Sequence, residues 1–202
     1  MRAIVLLGVL ASVAGCSSAS SATSGGTEDC QAGAAAYPPG LCGYNPGQTI
    51  ADLVFQGKTG GTSATTQTVK LSDWYDPKAT APNKLLLLDV SGLWCQACKS
   101  EAAAMSQLES DYASKGVFFV TVVAENDSNQ PASATDVDAW ITSYSLTSLV
   151  VNDPTLTTEQ YFDRSQMPLN MIIELRTMTI AAKLVGYVDS EIRAKLDAEL
   201  GN

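Results

Sequence analysis

The feature that most narrows what this chain can fold into is a unit of about forty residues: two β-type runs enclose a helix-type run whose first turn carries two cysteines. Lys84-Leu85-Leu86-Leu87-Leu88-Asp89-Val90 is a continuous apolar run behind Pro82-Asn83. A run of that length with no alternation reads as a strand covered on both faces. From residue 95 to residue 115 the pattern turns helical. Ala102, Ala103 and Ala104 favour a helix, Met105, Leu108 and Tyr112 recur at intervals of three and four, and Gly116 suits its stop. Val117-Phe118-Phe119-Val120-Thr121-Val122-Val123 makes the second β run. Strand, helix and strand at this spacing predict a right-handed β-α-β crossover with parallel strands, and hence an α/β chain.

Cys95-Gln96-Ala97-Cys98 falls where the first strand hands over to the helix. A thiolate there meets unpaired helix amides and the positive end of the helix dipole, which lower a thiol pKa from about 8.5 to about 3.5–7.5 in C-x-x-C sites. Two other readings are a static clip and half of a zinc site. A ring closed over two residues makes a poor staple. Structural zinc uses two closely spaced pairs, whereas eleven residues separate the other candidates, Cys30 and Cys42. Placement at the helix start weights the redox reading.

Upstream, residues 1–15, MRAIVLLGVLASVAG, carry one early cation, Arg2, and then an apolar run too short to span a bilayer. This reads as a secretion signal. Val13-Ala14-Gly15-Cys16 resembles the lipobox of bacterial lipoproteins, which implies a lipid on Cys16 that holds the chain at a membrane face. Ser17 follows in place of the Asp that retains many lipoproteins in the inner membrane, tilting the expectation toward the outer one. The Ser/Ala/Gly-rich residues 17–27 are a flexible tether. Removing the signal takes Arg2 and no acid, so the formal charge of −9 becomes −10. That charge disfavours nucleic acid as a partner.

The five cysteines become four once Cys16 is assigned to lipid. An exported chain meets oxidising surroundings, and four cysteines allow three connectivities. Proximity favours Cys95 with Cys98 and Cys30 with Cys42, the latter a structural bridge whose removal would cost about 2–5 kcal/mol. Histidine is absent. This excludes Ser-His and Cys-His nucleophiles, Cys/His zinc centres and haem attachment through C-x-x-C-H, and no metal or cofactor is expected.

LLLLDVSGLWCQACKSEAAAM, residues 85–105, resembles the active-site segment of the thioredoxin superfamily, and within it the membrane-anchored TlpA-like thiol-disulfide oxidoreductases. The resemblance implies a three-layer fold: a central mixed β-sheet flanked by helices, with an additional amino-terminal β-hairpin. It also implies roles. Cys95 is the exposed nucleophile and Cys98 the more buried resolving cysteine. Trp94 matches the aromatic before the nucleophile, and Asp89 the buried acid that moves a proton to or from the second thiol. Glu101 matches an acid common in the TlpA-like branch, although a solvated helix position is the reading favoured by its residue type. In YFDRSQMPLNMIIELRTMTIAAKLVG, residues 161–186, Met167-Pro168 occupies the place of the cis-proline that binds substrate backbone. Three positions depart from the pattern. Gln96-Ala97 replaces Gly-Pro or Pro-Pro, Ala103 replaces a helix-kinking proline and so implies a straighter helix, and Leu169 replaces a threonine.

The remaining elements follow from periodicity. Leu53–Phe55 and Val69–Leu71 form the hairpin, Ala134–Tyr144 and Thr155–Phe162 are helices, Leu149–Val151 is a short buried strand, Asn170–Leu175 and Thr179–Val185 are paired strands, and a helix opens at Asp189. The expected organisation is a signal over residues 1–15, a tether with the Cys30–Cys42 loop over 16–47, and one domain over 48–202. The expected function is thiol-disulfide exchange by a lipid-anchored protein of the bacterial cell envelope. Its partners would be protein thiols or disulfides and an envelope electron donor or acceptor. The alternatives are a redox-inactive scaffold on the same fold and a thiol peroxidase, which lacks here the expected Pro-x-x-x-Thr-x-x-Cys pattern.

Overall fold

The computed structural model describes residues 37–39 and 42–201. Cys16 and Cys30, the expected signal and residues 17–27 of the tether lie outside the described residues. Among the described residues the chain forms β1 (Val54–Lys58), β2 (Gln67–Lys70), β3 (Leu85–Gly92), α1 (Gln96–Tyr112), β4 (Val117–Glu125), α2 (Ala134–Tyr144), β5 (Leu149–Asn152), β6 (Leu169–Glu174), β7 (Thr179–Val185) and α3 (Asp189–Leu200). The strands make one mixed sheet in the order β2-β1-β5-β4-β3-β6-β7. β3 pairs parallel with β4, as does β4 with β5, while β3–β6, β6–β7, β1–β5 and β1–β2 are antiparallel. Among the described residues no helix is long and apolar enough to cross a membrane.

All eight residues of β3 are buried. An apolar run without alternation has no polar face to offer water, so it takes an interior place between β4 and β6 and is covered on both faces. Leu85 to Ser91 pair in register with Val117 to Val123, which sets the two strands of the predicted crossover side by side. α1 runs unbroken through Ala103, as the missing proline implies. It buries Cys98, Ala102, Met105, Leu108 and Tyr112 at helical spacing. Arg193 ties it to α3, reaching Asp111 at 2.7 Å and Asp189 at 2.7 Å.

The expected hairpin is present, with Val54 opposite Lys70, and β1 also pairs with β5, so the hairpin extends the main sheet. Packed chain begins ahead of residue 48: Tyr37 and Cys42 are buried, and the Tyr37 hydroxyl donates to the Ile50 carbonyl at 2.9 Å. Cys42 is disulfide-bonded. α2 spans the expected residues and opens on a capping box between Ser133 and Asp136.

One expected helix is absent. Thr155–Phe162 contains only a short 3₁₀ turn, Thr157–Tyr161, entered through Leu156 at φ 54°. The Asp153 carboxylate accepts from the Thr158 amide at 2.7 Å and from the Thr157 and Thr158 hydroxyls. Those bonds satisfy the segment without the i to i−4 ladder, and two adjacent threonines resist that ladder weakly favoured to begin with.

Gly116 closes the turn after α1 at φ 98°, and its carbonyl accepts from the amides of Lys84 and Leu85, fastening the start of β3. A Cβ there would stand 2.8 Å from the Pro82 carbonyl oxygen. Gly116→Ala is expected to destabilise the fold by about 1–3 kcal/mol, from the left-handed backbone and the clash together, as read by urea denaturation. An unchanged midpoint would refute this account of the turn.

Candidate active site

The end of β3 and the start of α1 form a turn held by backbone bonds. The Leu93 amide donates to the Glu125 carbonyl at 2.9 Å, and the Cys95 amide to the Gly92 carbonyl at 3.1 Å. Cys95 is the N-cap of α1, and its Sγ accepts from the Cys98 amide at 3.1 Å. Cys95 and Cys98 are joined by a disulfide with Cα atoms 5.2 Å apart. No acidic residue lies in the first turn of the helix, so nothing there offsets the attraction of helix amides for a sulfur anion.

The expectation that Cys95 is exposed needs correction. It is 4% exposed, against 0% for Cys98, while Gln96 and Ala97 between them are exposed. The disulfide and the amide bond turn the Cys95 sulfur inward, so the intervening dipeptide forms the surface. The order of exposure within the pair is nevertheless the expected one.

Asp89 is buried, as expected, and accepts from the Ser91 hydroxyl at 2.8 Å. Removal from water pushes its pKa up to about 7, against the pull of hydrogen bonds from Ser91 and Thr121. Glu101 is the larger surprise. Rather than facing solvent it is 1% exposed, and its pKa is pushed up to about 9, first by burial and then by the charge of Asp89. It stands one turn beyond Cys98 on the buried face of α1. Asn170, also buried, pairs in register with Asp89 across β3 and β6 and lies beside Glu101. Among the described residues Asp89 Oδ2, both Glu101 oxygens and both Asn170 amide atoms make no close hydrogen bond, although Asn170 lies near enough to Glu101 to pull its pKa partly back down. Beyond burial, the charge of Asp89 raises the proton affinity of Glu101, because like charges in a desolvated site oppose joint ionisation.

Met167–Pro168 is a cis peptide. The Pro168 carbonyl accepts from the Gly186 amide at 2.8 Å, and Met167 makes no backbone–backbone hydrogen bond among the described residues. A Cβ on Gly92 would stand 3.0 Å from the Met167 sulfur and 3.0 Å from Trp94 Nε1. Glycine at residue 92 therefore lets the cysteine-bearing turn and the cis-proline loop approach this closely. The Trp94 indole donates to Glu125 Oε2 at 2.7 Å. The other Glu125 oxygen accepts from Arg164, which also contacts Glu159 at 2.9 Å.

The structure thus brings Asp89, Trp94, Cys95, Cys98, Met167 and Pro168 to one end of β3. Cys42 is bridged elsewhere, its expected partner Cys30 and the lipid-bearing Cys16 being outside the described residues. Sequence reasoning missed Glu125, Arg164 and Asn170. The one available signal for Glu125 was a carboxylate directly after an apolar β run. Among the described residues no group of three or more Cys, Asp or Glu is placed to hold a metal ion.

Residues 46–183 match the model of the AhpC/TSA family. No curated protein matches the sequence. Among solved structures, the chain is similar to a protein described as the thiol:disulfide interchange protein DsbE of Chlorobium tepidum, at 22% identity and a TM-score of 0.59, over 78% of this chain and 99% of that one. It is similar to a reduced 2-Cys peroxiredoxin of Plasmodium vivax, at 18% identity and a TM-score of 0.61, over 78% and 82%. A secreted thiol-disulfide isomerase of Corynebacterium glutamicum aligns at 19% identity and a TM-score of 0.53, over 76% and 84%. The thioredoxin-like fold expected from the sequence is the one shared with these structures.

The buried acids give the fold a pH dependence of definite sign. The folded pKa values of Asp89 and Glu101 lie above their ordinary values of 3.8 and 4.5. The native state therefore keeps protons that the unfolded chain releases, and stability falls as pH rises from about 4 toward about 9. The slope is on the order of 1 kcal/mol per pH unit for each such group. Urea denaturation of the oxidised protein at pH 5, 7 and 9 should show this decline, and Glu101→Gln should flatten its upper half. A Glu101→Gln variant that declines as steeply as the parent would place the glutamate in water.

Proposed function

The chain belongs to the AhpC/TSA family, and on that premise we propose that it is a thiol-disulfide oxidoreductase working through Cys95 and Cys98. One observation carries the reading: the two cysteines close a disulfide at the start of a 17-residue helix, with a buried pair of carboxyl groups on the strand before and the turn after.

In the reduced protein the Cys95 thiolate, favoured by the Cys98 amide and the helix start, attacks one sulfur of a substrate disulfide. The substrate S–S bond breaks, one substrate thiolate leaves, and Cys95 is joined to the substrate. Cys98 then gives its proton to the Asp89 and Glu101 pair and attacks the Cys95 sulfur. The mixed disulfide breaks, the second substrate thiolate leaves, and the Cys95–Cys98 disulfide forms. Two electrons have passed to the substrate, and a thiol donor restores the dithiol. Run backwards, the same steps oxidise a substrate dithiol. A carboxyl group with a pKa near neutrality suits this proton transfer because it both accepts and releases at working pH. The Met167 backbone, which makes no backbone–backbone hydrogen bond among the described residues, suits pairing with an extended substrate segment, and the half-buried Trp94 would supply an apolar wall.

The reading extends to place. The signal expected over residues 1–15 and the lipid expected on Cys16 support a lipid-anchored protein at the periplasmic face of the bacterial cell envelope, with Ser17 favouring the outer membrane slightly. That a compared isomerase is a secreted protein supports an extracytoplasmic site. The working domain comprises residues 48–202 together with the packed residues Tyr37 and Cys42 ahead of them, and a Cys30–Cys42 bridge would staple this approach. A thiol peroxidase is a second reading, favoured by the likeness to a 2-Cys peroxiredoxin. Hydrogen peroxide turnover above that of Cys95→Ser would establish it.

The principal test is reduction of insulin disulfides by the dithiol protein. Cys95→Ser should lower the rate at least about 100-fold, and Cys98→Ala should accumulate a mixed disulfide with the substrate. Reduced Cys95 should also react with iodoacetamide with a midpoint below about 8.5. Equal insulin reduction by parent and Cys95→Ser would end the proposal.

A further inference from the structure

Glu125, at the end of β4, is buried to within 2% of its side chain, yet both its oxygens are engaged from opposite sides of the site. The Trp94 indole on the cysteine-bearing turn holds Oε2 at 2.7 Å, and Arg164 holds Oε1 from the 3₁₀ turn Arg164–Gln166 that leads into Met167–Pro168. The Glu125 backbone carbonyl takes the Leu93 amide of the same cysteine-bearing turn. Arg164 is 41% exposed, contacts Glu159 at 2.9 Å, and reaches the Asn129 carbonyl at 3.4 Å. Trp94, Glu125, Asn129, Arg164 and Ser165 together line an open hollow of about 360 Å³. This bridge ties the cysteine-bearing turn to the cis-proline loop through side chains, alongside the close approach of the Met167 sulfur to Gly92.

We propose that Arg164 is a positioning residue: by gripping Glu125 it fixes the cis-proline loop against the Trp94 turn, and so shapes the hollow that receives the side chain next to the cysteine of an extended peptide substrate. The physical reason is the geometry of the fork. A guanidinium offers several donors in one plane, so it grips the Glu125 carboxylate while its outer nitrogen reaches the Asn129 carbonyl, with the Glu159 charge close by, and this fixes the direction of its loop. A lysine supplies the charge at a single point and does not reproduce this planar grip on Glu125 and the Asn129 carbonyl. Small disulfides need only the sulfur pair and not the hollow, so the arrangement discriminates between substrates by what flanks the cysteine. This inference rests on the disulfide-exchange reading, and its test separates the two.

The experiment compares the parent with Arg164→Gln and Arg164→Lys. The readouts are KM and kcat for a disulfide-linked peptide of about ten residues and for hydroxyethyl disulfide, with amide hydrogen exchange across residues 92–95 and 163–167. Arg164→Gln should raise KM for the peptide about tenfold more than KM for hydroxyethyl disulfide, the size of one lost charge-assisted bond. Exchange should rise in both segments, with Arg164→Lys recovering part of each effect. Parallel loss on both substrates, or peptide KM unchanged, would overturn the specificity role. Unchanged exchange would overturn the bridge itself. Were the parent to exchange no disulfide at all, the reading of the previous section would fail, while hydrogen exchange would still decide whether Arg164 holds the two segments together.

Discussion

Everything at this site depends on β3 being covered on both faces. A strand in that position cannot turn a polar residue toward water, so Asp89 and Ser91 are carried into the interior with the leucines. Burial is what lifts the Asp89 carboxyl toward neutrality, and the strand's end is what delivers Cys95 to the first amides of α1. The same packing that stabilises the sheet thus sets the proton affinity and the sulfur's surroundings.

Two buried glutamates show how far environment separates chemically identical groups. Glu125 has a donor on each oxygen, from Trp94 and from Arg164. Glu101 has no such pair of donors: only the Asn170 amide lies near enough to favour its charged form, while burial, Asp89 and Asp189 raise its proton affinity. A carboxylate supplied with charged and neutral donors holds neighbouring segments in place, whereas one left without them favours its neutral form and is suited to carry a proton. Glu125 joins the cysteine-bearing turn to Arg164, and Glu101 stands on the buried face of α1.

The departures from the family pattern have structural counterparts. Ala103 leaves α1 straight, because a proline there would have removed an amide from the helix ladder. Gln96 and Ala97 form the exposed crest of the site while Cys95 is drawn in beneath them. Leu169 is buried, and it is the following Asn170 that meets Asp89 across the strand pair. Polarity at this point of β6 therefore falls on the residue whose side chain shares a face with the acid, as the two-residue period of a strand requires.

By itself the sequence determined whatever repeats along the chain or sits at a boundary. The apolar run of β3, the helix from Cys95 to Gly116, the crossover they imply, the span of α2 and the pair β6–β7 were all legible, because a two- or 3.6-residue period reports directly which side of an element meets the core. Only the tertiary structure decided what covers a polar residue. Glu101 lies on a helix whose other acids, Glu109 and Asp111, are only half-buried, and its own proton affinity is set by burial and by groups on other elements, Asp89, Asn170 and Asp189 among them, the last two from far along the chain. Glu125 and Arg164 stand 39 residues apart in sequence and meet through a loop with no periodicity of its own. Asp153 likewise reduced an expected helix to a 3₁₀ turn by taking its amide and hydroxyl donors. Periodicity is a local property, whereas desolvation and ion pairing depend on which distant segments arrive; that is why the fold could be read from the residues in order and the electrostatics of the site could not.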